Sequence, residues 1–365
     1  MGRELNPEPG SRGLTEEDIV HIPGLLSRWV RLADGSIAHY TTSGETGPAV
    51  ILLHGGLPGS SGTAGWRFMA PVLGAAGFRV FCPDRPGFGH ADTRPAHYPT
   101  MGWKSQVDFV NNFADALCLD KFHLSGNSMG CMTSAYYAVN HPERLLSVAF
   151  IAGGIGDQNE APRVAPKDGK HTPKPEFQNT PFTGTEDSMR DLMAGIIYEA
   201  KTIWPELIAM RTKSALNQAG SLKAWQDSNT RLAEDPNYLQ WLSTKGRINK
   251  LTVPMIYLHG QQDVFSVVEN GFNQEDVLPN AQFFYPNECG HQGQTDQPDM
   301  FNQVFLEFFR DGKVSWKTAQ WAGVSRRRAI DPNYVEQPAG GFPSPDPAAY
   351  ASKETLSRLQ GAVAV

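Results

Sequence analysis

The chain has 365 residues, a formal net charge of -6 and 40% hydrophobic residues, enough for one large globular domain carrying an insertion. Mixed charge without a basic footprint excludes nucleic acid as the main partner, and no apolar run is long enough to span a bilayer. Four scattered cysteines, Cys82, Cys118, Cys131 and Cys289, lack metal-like spacing, and the opening "MGRELNPEPGSRGLTEEDIV" lacks the apolar centre of a secretory leader, so the expectation is a cytoplasmic protein with no metal, no cofactor and no disulfide framework.

Residues 1–27 read as an N-terminal extension. After it, "RWVRLADGSIAHYTTSG" predicts two strands around an Asp34-Gly35 turn. The runs "AVILLHGG", "FRVFCPD", "FHLSGNS", "LLSVAFIAG", "PMIYLHG" and "AQFFYPN" follow, each short, apolar and closed by turn residues. Helix-length segments separate most of them. This alternation predicts an α/β fold with a mainly parallel sheet and helices on both faces, built from 28–154 and 250–311. Between them, 155–249 holds no convincing strand: a loop rich in Pro, Lys and Gly, Arg163 to Phe182, leads into helical pattern from Asp187 to Leu242. An insertion placed after a strand is most economically a helical lid over the strand ends, the rival reading being a separate helical domain. The tail, 312–365, is rich in Pro, Gly and Ser and predicts an extended or partly disordered arm, with Trp316 and Trp321 as anchors and a contribution to homo-oligomer assembly.

"HLSGNSMGCM" sets Ser128 between Gly126 and Gly130, where a buried strand ends and a helix begins. A serine at such a sharp elbow holds its hydroxyl out over the sheet edge, and the two glycines remove side chains that would collide. The helix N-terminus that follows offers unpaired N–H groups to a developing negative charge. A serine hydroxyl needs a base, and the base an orienting acid. Among ten histidines, His291 in "NECGHQGQ" is the candidate base, because its loop lies between the last strand and the last helix; the alternative is a surface-loop histidine. Asp263, in "LHGQQDVF" after the penultimate strand, is the candidate acid, while Asp296 and Asp299 fit the start of the final helix. In "LLHGGLPGSSGTAGW", Gly55 and Gly56 end an early strand, so the Gly56 N–H and the Met129 N–H are the candidate oxyanion donors. The absence of a lysine after these glycines excludes a nucleotide-binding loop. "DRPGFGHAD" reads as a turn whose glycines serve the backbone.

The order Ser128, Asp263, His291 is that of α/β-hydrolases, and from Arg28 to Arg310 the chain resembles them. Within them it is most similar to the meta-cleavage product hydrolases, which cut a carbon–carbon bond in dienoate acids made by aromatic ring opening. The matching pieces are "HGGLPGSSGTAGW", "DRPGFGHAD", "GNSMG" and "CGHQGQTDQPDMFNQVFLEFF". The segment "PELIAMRTKSA" is similar to the one bearing the family's substrate-carboxylate arginine, which falls on Arg211; a solvated helix face is the alternative. The resemblance also implies that Leu57 and Gln292 line the substrate pocket. Two positions depart from it: Gln292 stands where the family usually has a tryptophan, and Phe68 where it has an asparagine. Cys131 replaces the family's second glycine after the elbow and is expected only to pack. The first expectation is therefore a serine hydrolase acting through an acyl-serine on a small aromatic or apolar ester, with a carboxylate at Arg211. Carbon–carbon hydrolysis and a ligand receptor on the same fold are the alternatives.

Overall fold

The computed structural model describes residues 14–164 and 180–343; most of the Pro-, Lys- and Gly-rich loop and the last part of the tail lie outside them. Eight strands form one sheet: β1 (Leu26–Arg31), β2 (Ile37–Ser43), β3 (Ala49–Leu53), β4 (Arg79–Pro83), β5 (Phe122–Asn127), β6 (Leu145–Ile151), β7 (Met255–Leu258) and β8 (Gln282–Phe284). Their order is β1-β2-β4-β3-β5-β6-β7-β8. The pairs β1/β2 and β2/β4 are antiparallel, and the rest are parallel. The hairpin turns where the sequence places it, with Gly35 at φ +82° and the Ser36 N–H donating to Asp34 Oδ1 at 2.9 Å.

The α-helices are α1 (Gly62–Trp66), α2 (Ala70–Ala75), α3 (Trp103–Ala116), α4 (Met129–Asn140), α5 (Glu186–Ile196), α6 (Pro205–Asn217), α7 (Ala219–Leu232), α8 (Pro236–Leu242), α9 (Val268–Val277), α10 (Gly293–Asp296), α11 (Pro298–Asp311) and α12 (Trp316–Trp321). Strand alternation sends β3 side chains to two cores. Ile51 and Leu53 join the cluster under α3 and α4, whereas Val50 and Leu52 join the one under α2 and α11. Every β3 residue is buried, which is why the strand reads as a continuous apolar run.

Helices α5 to α8 lie between β6 and β7 in the chain and hold no strand among the described residues. They pack on the loops at the carboxyl ends of the strands. Gln218 accepts from the Gly59 N–H at 3.0 Å, Ser228 Oγ from the Gly102 N–H at 3.0 Å, and Trp225 meets Trp103 edge-on at 5.2 Å. Insertion and sheet thus form one body.

The expectation of a loose arm does not hold for residues 312–343. Val314, Ala319, Ala322, Val324, Ile330 and Val335 are buried in the second core, and Val324 bridges Phe284 antiparallel, with the Ser325 N–H donating to the Phe283 carbonyl at 2.8 Å. The segment covers the outer edge of β8, which would otherwise present unpaired backbone groups. Arg327 pairs with Glu275 and Asp276 on α9, and Arg328 Nη1 donates to the Leu278 carbonyl at 2.9 Å. Of the two expected anchors, Trp316 packs on Phe342 at 5.6 Å, while Trp321 is 55% exposed. Proline and glycine content misled here because the segment docks through sparse valines and carbonyl-seeking arginines, which composition hides.

Candidate functional site

Ser128 ends the turn from β5 into α4 with φ 57° and ψ -117°, a conformation that costs a non-glycine residue of the order of 1–3 kcal/mol. Close packing holds it there. A Cβ on Gly126 would lie 2.1 Å from the Gly130 carbonyl oxygen, one on Gly130 would lie 2.3 Å from the Leu53 carbonyl oxygen, and the Ser128 N–H donates to the Ile151 carbonyl at 2.8 Å. The two glycines let α4 start against β3 and β5, and the half-buried Ser128 is left at the carboxyl end of the sheet.

His291 Nδ1 lies 2.6 Å from Asp263 Oδ2, and both side chains are buried. The other carboxylate oxygen of Asp263 accepts the N–H groups of Phe265 at 2.9 Å and Ser266 at 2.8 Å. Burial alone would raise the Asp263 carboxyl, but the His291 and His259 imidazoles beside it hold it well below the usual carboxylate range. An ionised Asp263 fixes the proton on His291 Nδ1 and leaves Nε2 as a base. That Nε2 is buried and has no hydrogen-bond partner among the described residues. The elbow and the histidine loop are tied together by Asn127 Nδ2, which donates to the His291 carbonyl at 2.9 Å. From the insertion side, the Ile196 carbonyl accepts the His291 N–H at 3.0 Å.

Gly56 sits against the elbow: a Cβ there would lie 2.6 Å from Met129 Sδ and 2.9 Å from Met129 Cβ. As the first residue of α4, Met129 has no intrahelical acceptor for its N–H. The Gly55–Gly56 peptide is oriented from behind. Arg85 Nη2 donates to the Gly55 carbonyl at 2.7 Å, and so does His54 Nδ1 at 2.7 Å, because His54 Nε2 accepts the Arg85 N–H at 3.0 Å. In a trans peptide the N–H points away from the carbonyl, so fixing the Gly55 oxygen aims the Gly56 N–H the opposite way. His54 does this as a neutral ring: burial, with Arg85 second, pushes it down to about 3.

The "DRPGFGHAD" turn is a support. Asp84 accepts the Gly62 N–H and the His90 N–H, each at 2.7 Å, and lies 2.7 Å from His39 Nδ1. A Cβ on Gly89 would lie 2.2 Å from its carboxylate. His39, Asp84 and His90 are close enough to suggest a metal site. The donors already converging on Asp84 instead explain the cluster as a buried hydrogen-bond knot.

Arg211 on α6 is 3% exposed, so it lies on no solvated face. Its Nη2 donates to the Pro58 carbonyl at 3.0 Å and approaches Ser60 Oγ at 3.4 Å. Arg211 and Gln292 line one narrow cavity with Arg67, Trp204 and Ile208. Leu57 packs instead against the insertion's own apolar cluster of Met189, Leu192, Met193 and Ile196. Phe68 turns its ring edge-on to Trp204 at 5.5 Å. Asp296, read from sequence as a helix-start carboxylate, spans two parts of the site, accepting the Gly290 N–H at 2.8 Å and the Glu199 N–H at 3.0 Å. Arg67, Arg85 and Asn127 went unnoticed in the sequence. For Arg67 the available signal was a lone cation following Trp66 in an otherwise apolar and glycine-rich stretch.

The family model for the α/β hydrolase fold matches residues 48–298. The chain belongs to the α/β-hydrolase fold family. It is a hydrolase by that membership, and its relatives specify the similarity further. This α/β-hydrolase is 27% identical over 295 residues to a 2-hydroxy-6-oxononadienedioate/2-hydroxy-6-oxononatrienedioate hydrolase of Paraburkholderia phymatum, a match covering 80% of this chain and 98% of the relative. It is also 27% identical over 303 residues to a 2-hydroxy-6-oxo-6-phenylhexa-2,4-dienoate hydrolase of Comamonas testosteroni, covering 79% and 97%. Among solved structures, the meta-cleavage product hydrolase of Pseudomonas fluorescens IP01 aligns with TM-score 0.59 and 26% identity, over 78% of this chain and 98% of that one. No helix among the described residues is long and apolar enough to cross a membrane.

Proposed function

We propose that this α/β-hydrolase cleaves a carbon–carbon bond in a small dienoate acid, with Ser128 as nucleophile, His291 as base and Asp263 as its orienting acid. The choice of a carbon–carbon bond rests on the relatives' names, and the choice of an acid on Arg211: a guanidinium sealed at the pocket wall on the insertion, with no carboxylate partner among the described residues, suits a substrate carboxylate. Ester hydrolysis, the first expectation from sequence, uses the same triad. It has no specific support among the relatives, whose names are those of dienoate hydrolases.

The relatives' names describe a 2-hydroxy diene bearing a 6-oxo group. On such a substrate, tautomerisation of the enol to the 2-keto form comes first, because the electron pair of the broken bond then has a carbonyl to flow into. Attack of Ser128 Oγ on the 6-oxo carbon, with its proton passing to His291 Nε2, places a tetrahedral oxyanion where the Gly56 and Met129 N–H groups can receive it. Collapse breaks the bond to the adjacent carbon. The electron pair leaves as an enolate, which takes the proton back from His291. Water deprotonated by His291 then releases the acyl group from Ser128 as a carboxylic acid.

Lid motion of α5 to α8 would admit the substrate, since the cavity beside Gln292 is narrow. Buried, unpaired Cys82, Cys131 and Cys289 suit a cytoplasmic setting. The test is a comparison of kcat/KM for a ring-cleavage dienoate acid and for nitrophenyl acetate, with both acid products of the dienoate identified. Dienoate cleavage with the higher kcat/KM supports the proposal. Steady ester turnover with an untouched dienoate returns the assignment to an esterase, and no turnover of either restores the receptor reading.

A further inference from the structure

The proposed carboxylate site accounts for one buried guanidinium, and the same cavity holds a second. Arg67 follows the last residue of α1 and is 4% exposed. Its Nη1 donates to the Ala64 carbonyl and its Nη2 to the Thr202 carbonyl, the latter at 2.5 Å. Its plane rests against Phe68 and Trp204, with ring centroids 4.3 and 4.9 Å from the guanidinium carbon. This clamp fixes the head group but leaves its charge unneutralised. The cavity-lining residues include no carboxylate, and among the described residues neither arginine is within ion-pair distance of one. In both Arg67 and Arg211 the buried Nε–H has no acceptor among the described residues.

Two like charges enclosed together without a counter-ion oppose each other and lose hydration, an arrangement that an apolar side chain would relieve. Consistent with that, burial and then the charge of Arg211 push Arg67 down to about 9. A pocket built this way is complementary to anions rather than to an uncharged aromatic group. Two separate head groups, on α6 and on the loop after α1, also match two anionic groups better than one.

We propose that Arg67 is a specificity-determining residue that binds a second substrate carboxylate, so that the site selects a dicarboxylic acid over the monocarboxylic acid of the same skeleton. This rests on the proposed role of Arg211 as the first carboxylate site. Neutral substrates gain nothing from Arg67. Substrates with one carboxylate use Arg211 and leave Arg67 without a counter-ion.

The test separates binding from chemistry. Nonanedioate and nonanoate, which cannot be cleaved, are titrated as competitive inhibitors of nitrophenyl acetate hydrolysis, or calorimetrically if that ester is not turned over. The proteins are the wild type, Arg67→Gln, Arg67→Lys and Arg211→Gln. Because a hydrogen bond to a charged group is involved, the wild type is expected to bind the diacid roughly ten- to a hundredfold more tightly than the monoacid. In Arg67→Gln that ratio falls to near one, with affinity for the monoacid retained. Arg67→Lys keeps part of it, because an ammonium replaces the charge but not the fork. Arg211→Gln lowers affinity for both acids. Equal wild-type affinity for the two acids overturns the proposal, and so does a ratio that survives in Arg67→Gln. If Arg67→Gln does not fold, the wild-type ratio and its change in Arg67→Lys decide. A ratio that depends on Arg67 in a protein that cleaves no dienoate would refute carbon–carbon hydrolysis while leaving the dicarboxylate site standing.

Discussion

Substituting Gly56 by alanine perturbs the proposed oxyanion donors, the Gly56 and Met129 N–H groups, at one atom. Gly56 is not in the left-handed backbone region, so alanine carries no conformational penalty there, and the effect comes from contact alone. The added Cβ would lie 2.6 Å from Met129 Sδ and 2.9 Å from Met129 Cβ. The sulfur can swing away, but Met129 Cβ is fixed at the start of α4 beside the elbow. The two N–H donors must therefore separate. Losing one such donor costs roughly 10²- to 10³-fold in kcat, or about 3–4 kcal/mol of transition-state stabilisation, with little change in ground-state binding. Steady-state kinetics on any accepted substrate should show kcat falling by about that factor at a nearly constant KM. Adding Met129→Gly should recover part of the loss, because it removes the opposing Cβ as well as the sulfur while leaving the backbone N–H in place. Wild-type kcat in Gly56→Ala, or a loss that Met129→Gly deepens, would refute the assignment of these two donors. As a control, Gly130→Ala pushes a Cβ to 2.3 Å from the Leu53 carbonyl oxygen and should fail in folding, with loss of the melting transition.

Three further outcomes follow from the geometry. Ser128→Gly should raise Tm, since glycine adopts φ 57° without the penalty of about 1–3 kcal/mol, and should abolish turnover; an unchanged or lower Tm would mean that the elbow stores no strain. His54 and His123 are held at about 3 and about 4 by burial, whereas an unfolded histidine titrates near 6.5. Between those values the unfolded chain binds more protons, so stability is complete above about pH 6.5 and falls as pH drops, by about 2 kcal/mol per histidine at about pH 5; a Tm that stays flat over that range in a thermal-shift series would contradict this. Truncation after Asp311 removes three buried valines, Val314, Val324 and Val335, at about 1.5 kcal/mol each, and uncovers β8, so the shortened protein should aggregate or melt far lower by calorimetry, and an unchanged Tm would contradict the docking of this segment.

The sheet was legible because β3, β5 and β7 are buried on both faces and their apolar runs end in glycines or turn residues, leaving little room for another period. The elbow was legible for a steric reason, since only glycine tolerates the approach of Gly126 to Gly130 and of Gly130 to Leu53. Asp263 and His291 could be inferred from their positions after successive strands, and the structure brings them to 2.6 Å. What the sequence concealed depends on long-range contact. Asn127 reaches the His291 carbonyl across 164 positions, and Arg67 reaches the Thr202 carbonyl across 135. Neither partner leaves a local pattern. Arg85 looked like a turn residue because its function is to hold a carbonyl thirty positions upstream, at Gly55.

The central claim is that Asp263 and His291 activate Ser128. Its most direct measurement is the rate of covalent labelling by an alkyl fluorophosphonate, with the modified residue located by peptide mass spectrometry. The account predicts one adduct, on Ser128, with labelling slowed by several orders of magnitude in His291→Ala and less severely, by about 10⁴-fold if the acid acts as it does in serine proteases, in Asp263→Asn. An adduct on another residue, or labelling of Ser128 at the same rate in His291→Ala, would contradict it.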